Sequence, residues 1–167
     1  MRQGTLKDID DNFIEKLSDK WMLLTSGNKE SFNTMTVNWG GIGFLWNKAV
    51  VFIFVRPERY TYEFLETNES FSLCFLKDEF KGIHNICGMA SGRNINKIKE
   101  AKLTPIFHKS GCILFEQASI SIECKKVYSA QMDEKFYNNK SFHDLVRLKG
   151  NDHKLYIAEI IDVWTNP

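Results

Sequence analysis

NTMTVNWGGIGFLWNKAVVFIFVRPERYT, residues 33–61, opens with a strand pattern whose polar positions carry amides and hydroxyls: Asn33, Thr34, Thr36 and Asn38. Glycines at 40, 41 and 43 then predict a place where the backbone bends or lets a ligand approach closely. Ala49–Val55 is an unbroken apolar run between Asn47-Lys48 and Arg56-Pro57, and its length and β-branched content predict a strand buried on both faces. Pro57 disfavours helical geometry at Arg56, so the strand ends there, and Tyr60, Phe64 and Leu65 recur at helical spacing until Asn68. Arg56, Arg59 and Thr61 at a helix start suit a phosphate, whereas a strand of amides and hydroxyls suits a polar, planar group. The ligand implied is flat at one end and anionic at the other.

Working outward, Leu6–Leu17 reads as a short amphipathic lead-in, and Trp21–Thr25 as a first strand that turns at Ser26-Gly27-Asn28. Ser70–Leu76 alternates Ser and Cys with Phe71, Leu73 and Phe75, predicting a half-buried strand. Phe80, Ile83, Ile86, Cys87 and Ala90 mark one helix face, ended by Ser91-Gly92, and Asn94–Ala101 reads as another short helix closed by Pro105. Ile113–Cys124 is predicted as one long alternating strand, with Val127–Met132 pairing back on it across Lys125-Lys126. Within 136–150 only His143–Leu148 has a helical pattern; Tyr156–Trp164 is a β-branched final strand. Many short strands separated by turns and interrupted by a few helices predict a mainly β, closed or nearly closed antiparallel barrel with helical additions.

A chain of 167 residues with 43% hydrophobic content is about one domain, residues 1–167, with a substantial core. The formal charge of +1 gives no reason to expect nucleic acid or an anionic membrane surface, so any anion site is local. Cys74, Cys87, Cys112 and Cys124 are widely spaced without a C-x-x-C pair, which supports neither a zinc ribbon nor a dithiol redox motif. The opening residues are polar and acidic around Asp8, Asp10 and Asp11, and no apolar run of about twenty residues follows, so the expectation is a cytoplasmic protein with reduced thiols. Phosphate-loop, dinucleotide-fold, zinc-protease and nucleophile-elbow signatures are absent from the sequence, and the four histidines show no metal-ligand spacing.

Three segments resemble the FMN-binding split-barrel flavin reductases, the group that includes flavoredoxin. Asn33, Met35, Thr36 and Trp39 match an N-x-M-T-x-x-W motif, and Val55, Arg56, Pro57, Arg59, Tyr60 and Thr61 match V-R-P-x-R-Y-T. Gly88, Ser91, Gly92, Arg93 and Lys97 match G-x-x-S-G-R-x-x-x-K. The resemblance covers roughly the first two thirds of the chain. It implies a six-stranded, antiparallel, Greek-key-like split β-barrel, a homodimer with FMN close to the subunit interface, and electron transfer from NAD(P)H or a redox partner. The cofactor-binding residues it implies are Asn33, Thr34, Met35, Thr36, Val55, Arg56, Arg59, Tyr60, Thr61, Ser91 and Lys97.

Each group also has a plainer reading. Arginines at a helix start are commonly solvated, and polar strand residues usually face water. Trp39 and Trp46 suit a flavin ring, but tryptophans in a barrel more often serve a core or a dimer interface, and Trp46 is left out of the site. His84, on a helix near Cys87, is either a proton donor or a structural imidazole. At the level of function, a flavin-dependent oxidoreductase stands beside a non-catalytic barrel that stores or senses FMN.

Overall fold

The computed structural model describes residues 1–9 and 13–166, so the middle of the predicted lead-in, with Asp10 and Asp11, lies outside the described residues. In chain order the elements are β1 (Arg2–Gln3), α1 (Phe13–Glu15, running on as a π-helical turn over Lys16–Lys20), β2 (Met22–Gly27), β3 (Phe32–Val37), β4 (Gly40–Leu45) and β5 (Lys48–Val55). Then follow α2 (Tyr60–Thr67), β6 (Ser70–Leu76), α3 (Ile83–Met89), α4 (Lys97–Glu100), β7 (Pro105–Phe107), β8 (Ile113–Phe115), β9 (Ala118–Gln131), α5 (Lys140–Arg147) and β10 (Lys154–Thr165).

The main sheet is antiparallel along the path β3-β2-β6-β9-β10-β5-β4, with β1 added to β10. Strands at opposite ends of that path meet in one core. Met35 and Val37 of β3, Leu24 of β2, Leu73 of β6, Ile122 of β9, Tyr156 of β10 and Ile53 of β5 all belong to a single buried cluster. A flat sheet would keep β3 and β5 far apart, so the sheet is rolled around its alternate inward residues. Phe13 and Leu17 of the lead-in and Leu65 of α2 join the same cluster. Each large side chain fully buried here stabilises the barrel by about 1.5–3 kcal/mol.

A second cluster lies on the outer face of β2 and β6, where Leu23, Cys74 and Leu76 pack against Ile83 and Cys87 of α3 and against Leu114 and Phe115. Ser70–Leu76 is therefore buried on both faces, not half-buried, because α3 and β8 cover the side that alternation alone assigns to water. This outer layer also fixes the position of the α3–α4 connection beside β3.

Three predicted elements are corrected. The glycines at 40–43 form β4 instead of a bend, pairing Gly40 with Ile53 and Gly43 with Val50. A Cβ on Gly40 would stand 2.1 Å from the Phe52 carbonyl oxygen, and one on Gly43 would stand 3.0 Å from the Phe52 ring, so these glycines accommodate β5 and leave no gap for a ligand. The hairpin closes at Trp46 and Asn47, both at positive φ (51° and 60°), the geometry that matches strand twist. Phe52 and Phe54 are half-buried, so β5 is fully covered on its inner face only. Ile113–Cys124 is broken by the turn between β8 and β9, and β9 continues through Lys125-Lys126 to Gln131 with a register shift at Val127, so 128–131 pairs with β10 instead of folding back. Among the described residues no helix is long and apolar enough to cross a membrane.

Candidate functional site

The segments singled out in the sequence meet around β3. Asn33, at the start of that strand, donates its amide to Thr61 Oγ1 in the first turn of α2 (2.8 Å). Gly92 lies directly over Asn33, where a Cβ would come within 2.1 Å of the amide oxygen, so the 91–93 turn closes on the strand only because that residue has no side chain. Thr36, further along β3, donates to the carbonyl of His84 on α3 (2.9 Å). Arg59, immediately before α2, donates to the carbonyl of Gly88 (2.8 Å). Lys97 Nζ joins the first and third segments by donating to Thr34 O (3.0 Å) and Cys87 O (2.8 Å).

Backbone direction follows from the last contact. Successive strand residues turn their N–H and C=O to opposite edges, so if Thr34 offers its carbonyl to Lys97, Thr34 and Thr36 both direct backbone groups away from β2. β3 ends the sheet path, and this outer edge runs past α3 and the 88–97 connection.

Electrostatics set this place apart. Lys97 is only 5% exposed, and burial, reinforced by the positive charge of Arg59, lowers its pKa to about 8. Arg59 is also pulled below its ordinary value by burial. Among the described residues neither cation has a carboxylate partner; both are held by carbonyl dipoles alone. Two mutually repelling, desolvated cations without a counter-charge are costly unless an anion joins them.

Two concavities flank the convergence. One, of about 830 Å³, is bordered by Asn33, Tyr60, Arg93, Lys97, Lys99 and Lys102, with Glu30 the one carboxylate. Arg93 packs over the Tyr60 ring at 4.8 Å and pairs with Glu63, and Ser91 Oγ accepts the Arg93 backbone N–H at 3.2 Å. The other, of about 250 Å³, is bordered by Met35, Thr36, Trp39, Arg56, Arg59 and His153. Thr34 and Thr61 are fully buried, Thr34 Oγ1 bonding Thr25 Oγ1 at 2.9 Å, and Val55 is a core residue, so these side chains shape the site from behind.

Arg56 has a different set of partners. Its two terminal nitrogens donate to the carbonyls of Asn151 (2.6 Å) and Val146 (2.9 Å), clasping the end of α5. Sequence reading left 133–153 without a role, yet this segment brings Tyr137, Phe142, Lys149 and His153 beside Trp39. No local signal marks such contacts, because Arg56 grips backbone carbonyls that any residue supplies. His84 is 4% exposed with Nε2 unpartnered, and burial lowers its pKa to about 4, so it is neutral at physiological pH. All four thiols are buried, and burial raises the Cys74, Cys87 and Cys112 pKa values to about 11.

Comparison with known proteins places this geometry in context. Residues 15–167 match the family model described as flavin reductase like domain. None of the curated proteins matches the chain in sequence. Among solved structures, flavoredoxin from Methanosarcina acetivorans is similar with a TM-score of 0.70 at 18% identity, over 88% of this chain and 68% of its own. The FMN-binding protein from Thermus thermophilus with bound p-hydroxybenzaldehyde aligns over 99% of this chain and 82% of its own, with a TM-score of 0.70 at 17% identity. A Streptomyces globisporus NADH:FAD oxidoreductase, in complex with NAD and FAD fragments, aligns over 89% of this chain and 75% of its own, with a TM-score of 0.66 at 15% identity.

Proposed function

The chain belongs to the flavin reductase-like domain family, and from that premise we propose that it binds FMN and acts as an oxidoreductase, passing electrons from NAD(P)H or a redox partner protein through the flavin. The observation that carries this reading is the pair Lys97, buried, and Arg59, half-buried: two desolvated, repelling cations beside the open edge of β3, with no carboxylate partner among the described residues. The residues present fit the cofactor. Lys97, Arg59 and Arg93, with Ser91 between them in sequence, would hold the phosphate, and the backbone N–H of Thr36 would meet the polar edge of the ring.

When bound, FMN supplies the hydride and electron chemistry. The protein's contribution is position and electrostatics: charge-assisted hydrogen bonds to an anion contribute about 1.5–3 kcal/mol each, and fixed donors near the ring favour added negative charge. The Thr36 hydroxyl spends its one proton on His84 O, so the donor that Thr36 could turn to the ring is its backbone N–H. Buried thiols held as neutral Cys–SH are poor nucleophiles, so a mechanism through cysteine has no support in this arrangement. The free thiols also support our placement of the protein in the cytoplasm.

We further propose a homodimer. Along β4 the side chains of Ile42 and Phe44 are exposed (Phe44 by 75%) on a strand without a charged residue, Trp46 of the following turn is exposed beside them in sequence, and such an edge invites a partner. The test of the reading is purification without added flavin, followed by absorbance spectroscopy and FMN titration. A yellow protein, or one that takes up FMN stoichiometrically and is bleached anaerobically by NADH or NADPH, is the expected result. Binding without bleaching by either nucleotide or by a reducing protein favours storage or sensing, and no FMN binding defeats the proposal.

A further inference from the structure

The flavin reading gives no task to the buried imidazole of His84, on α3. We infer that His84 is a positioning residue: as its Nδ1–H tautomer it locks the Thr36 side chain to α3, and so fixes the backbone N–H that Thr36 presents at the outer edge of β3. The lock is a property of the chain itself, whereas its effect on a ring rests on the FMN reading.

Proton bookkeeping selects the tautomer. Thr36 Oγ1 lies 2.9 Å from His84 O and 3.3 Å from His84 Nδ1. A carbonyl only accepts, so the single hydroxyl proton goes to His84 O, and Oγ1 meets the ring nitrogen as an acceptor. Nδ1 therefore carries the ring proton. The opposite tautomer would either set two lone pairs together at 3.3 Å or spend the hydroxyl on the longer contact. In both cases it would bury an N–H at Nε2, an atom without a hydrogen-bond partner among the described residues, and an orphaned N–H is the costlier loss. Trp21 meets the imidazole edge-on, with ring centroids 6.0 Å apart, but its indole N–H donates to Ser18 O at 2.9 Å and so does not serve Nε2. Because burial lowers the His84 pKa to about 4, the ring holds one proton at pH 7, and Thr36 decides where it sits.

One residue thus holds one hydroxyl twice, through a ring donor and a backbone acceptor, and Thr36 cannot change its side-chain rotamer without breaking both bonds. The same helix offers its next carbonyls to the two cations: Cys87 O accepts from Lys97 at 2.8 Å, and Gly88 O from Arg59 at 2.8 Å. α3 is therefore the common frame on which the β3 edge and both cations are set, and His84 is where β3 is fastened to it.

The test begins with the full chain free of flavin, where nitrogen-15 NMR of the His84 ring at pH 7 is expected to show a protonated Nδ1 and a bare Nε2. With FMN bound, His84→Phe keeps a ring beside Trp21 but removes the donor. It should weaken binding of reduced FMN at least tenfold more than that of oxidised FMN, which lowers the two-electron midpoint potential by about 30 mV or more. His84→Asn, whose amide nitrogen stands at the Nδ1 position, should restore the wild-type potential, and His84→Gln, which reaches the Nε2 position instead, should not. Urea unfolding accompanies each variant, because a merely structural role lowers the midpoint of unfolding and leaves the potential unmoved. Should His84→Phe fail to fold, the Asn and Gln variants carry the same comparison. An Nε2–H tautomer in the wild type overturns the proposal, as does a potential unmoved in His84→Phe or a loss that His84→Asn does not restore. A chain that binds no FMN defeats the flavin reading, and the tautomer alone then upholds or overturns the lock.

Discussion

Lys97 is held in its charged form at physiological pH by only a narrow margin, since burial and Arg59 bring its pKa to about 8. A bound phosphate stabilises the ammonium, so above that pH binding must recruit a proton and affinity should fall. Below it the lysine is already charged and this dependence flattens. Titrating FMN from pH 6.5 to 9.5 should therefore show weakening above about pH 8 in the wild type, and Lys97→Met should bind more weakly and lose that slope. Arg59→Ala should weaken FMN binding at least tenfold, about 1.4 kcal/mol or more. Arg56→Ala should weaken it less and instead loosen α5, seen as faster hydrogen exchange around Val146 and Asn151, because those carbonyls are where its donors go. Unchanged affinity in the Arg59 and Lys97 variants together would remove the anion assignment.

Elements were legible from sequence where one local rule decided them. Pro57 ended β5, the Tyr60, Phe64, Leu65 spacing gave α2, and β-branched density gave β10. They were misread where a distant partner decided. Gly40–Gly43 has the composition of a loop, and only the Phe52 carbonyl and ring across the ladder explain why a strand needs glycines there. That explanation predicts an asymmetry within β4. Gly40→Ala should destabilise the protein by several kcal/mol, because its Cβ meets backbone at 2.1 Å, whereas Gly41→Ala, with only the Phe52 side chain at 3.9 Å, should fall within about 1 kcal/mol of wild type in urea unfolding. The site divides in the same way. Its motif residues could be named because their types and spacing are local, but the joining of Lys97 to Thr34 and Cys87, and the use of Arg56 to anchor 146–151, arise from tertiary folding.

On the scale of the whole molecule, one sheet rolled around one core leaves β3 at one end, beside the candidate site, and β4 at the other, where apolar side chains face outward. If that second end pairs with another copy, Phe44→Glu should yield a monomer by light scattering while leaving the unfolding midpoint of the isolated barrel nearly unchanged. A wild-type monomer that binds FMN at full affinity would rule out a dimer-dependent site. The buried thiols described above have a consequence of another kind. Cys74, Cys112 and Cys124 sit among β6, β8 and β9 and Cys87 under α3, so no alkylating reagent reaches a sulfur until those layers part. The chain thus carries its own clock. Mass-resolved labelling by iodoacetamide in native buffer should be slow, and modification of all four sulfurs together would mean that barrel and outer layer open as one. Earlier labelling of Cys87 alone would time the lifting of α3 from the strand that borders the site.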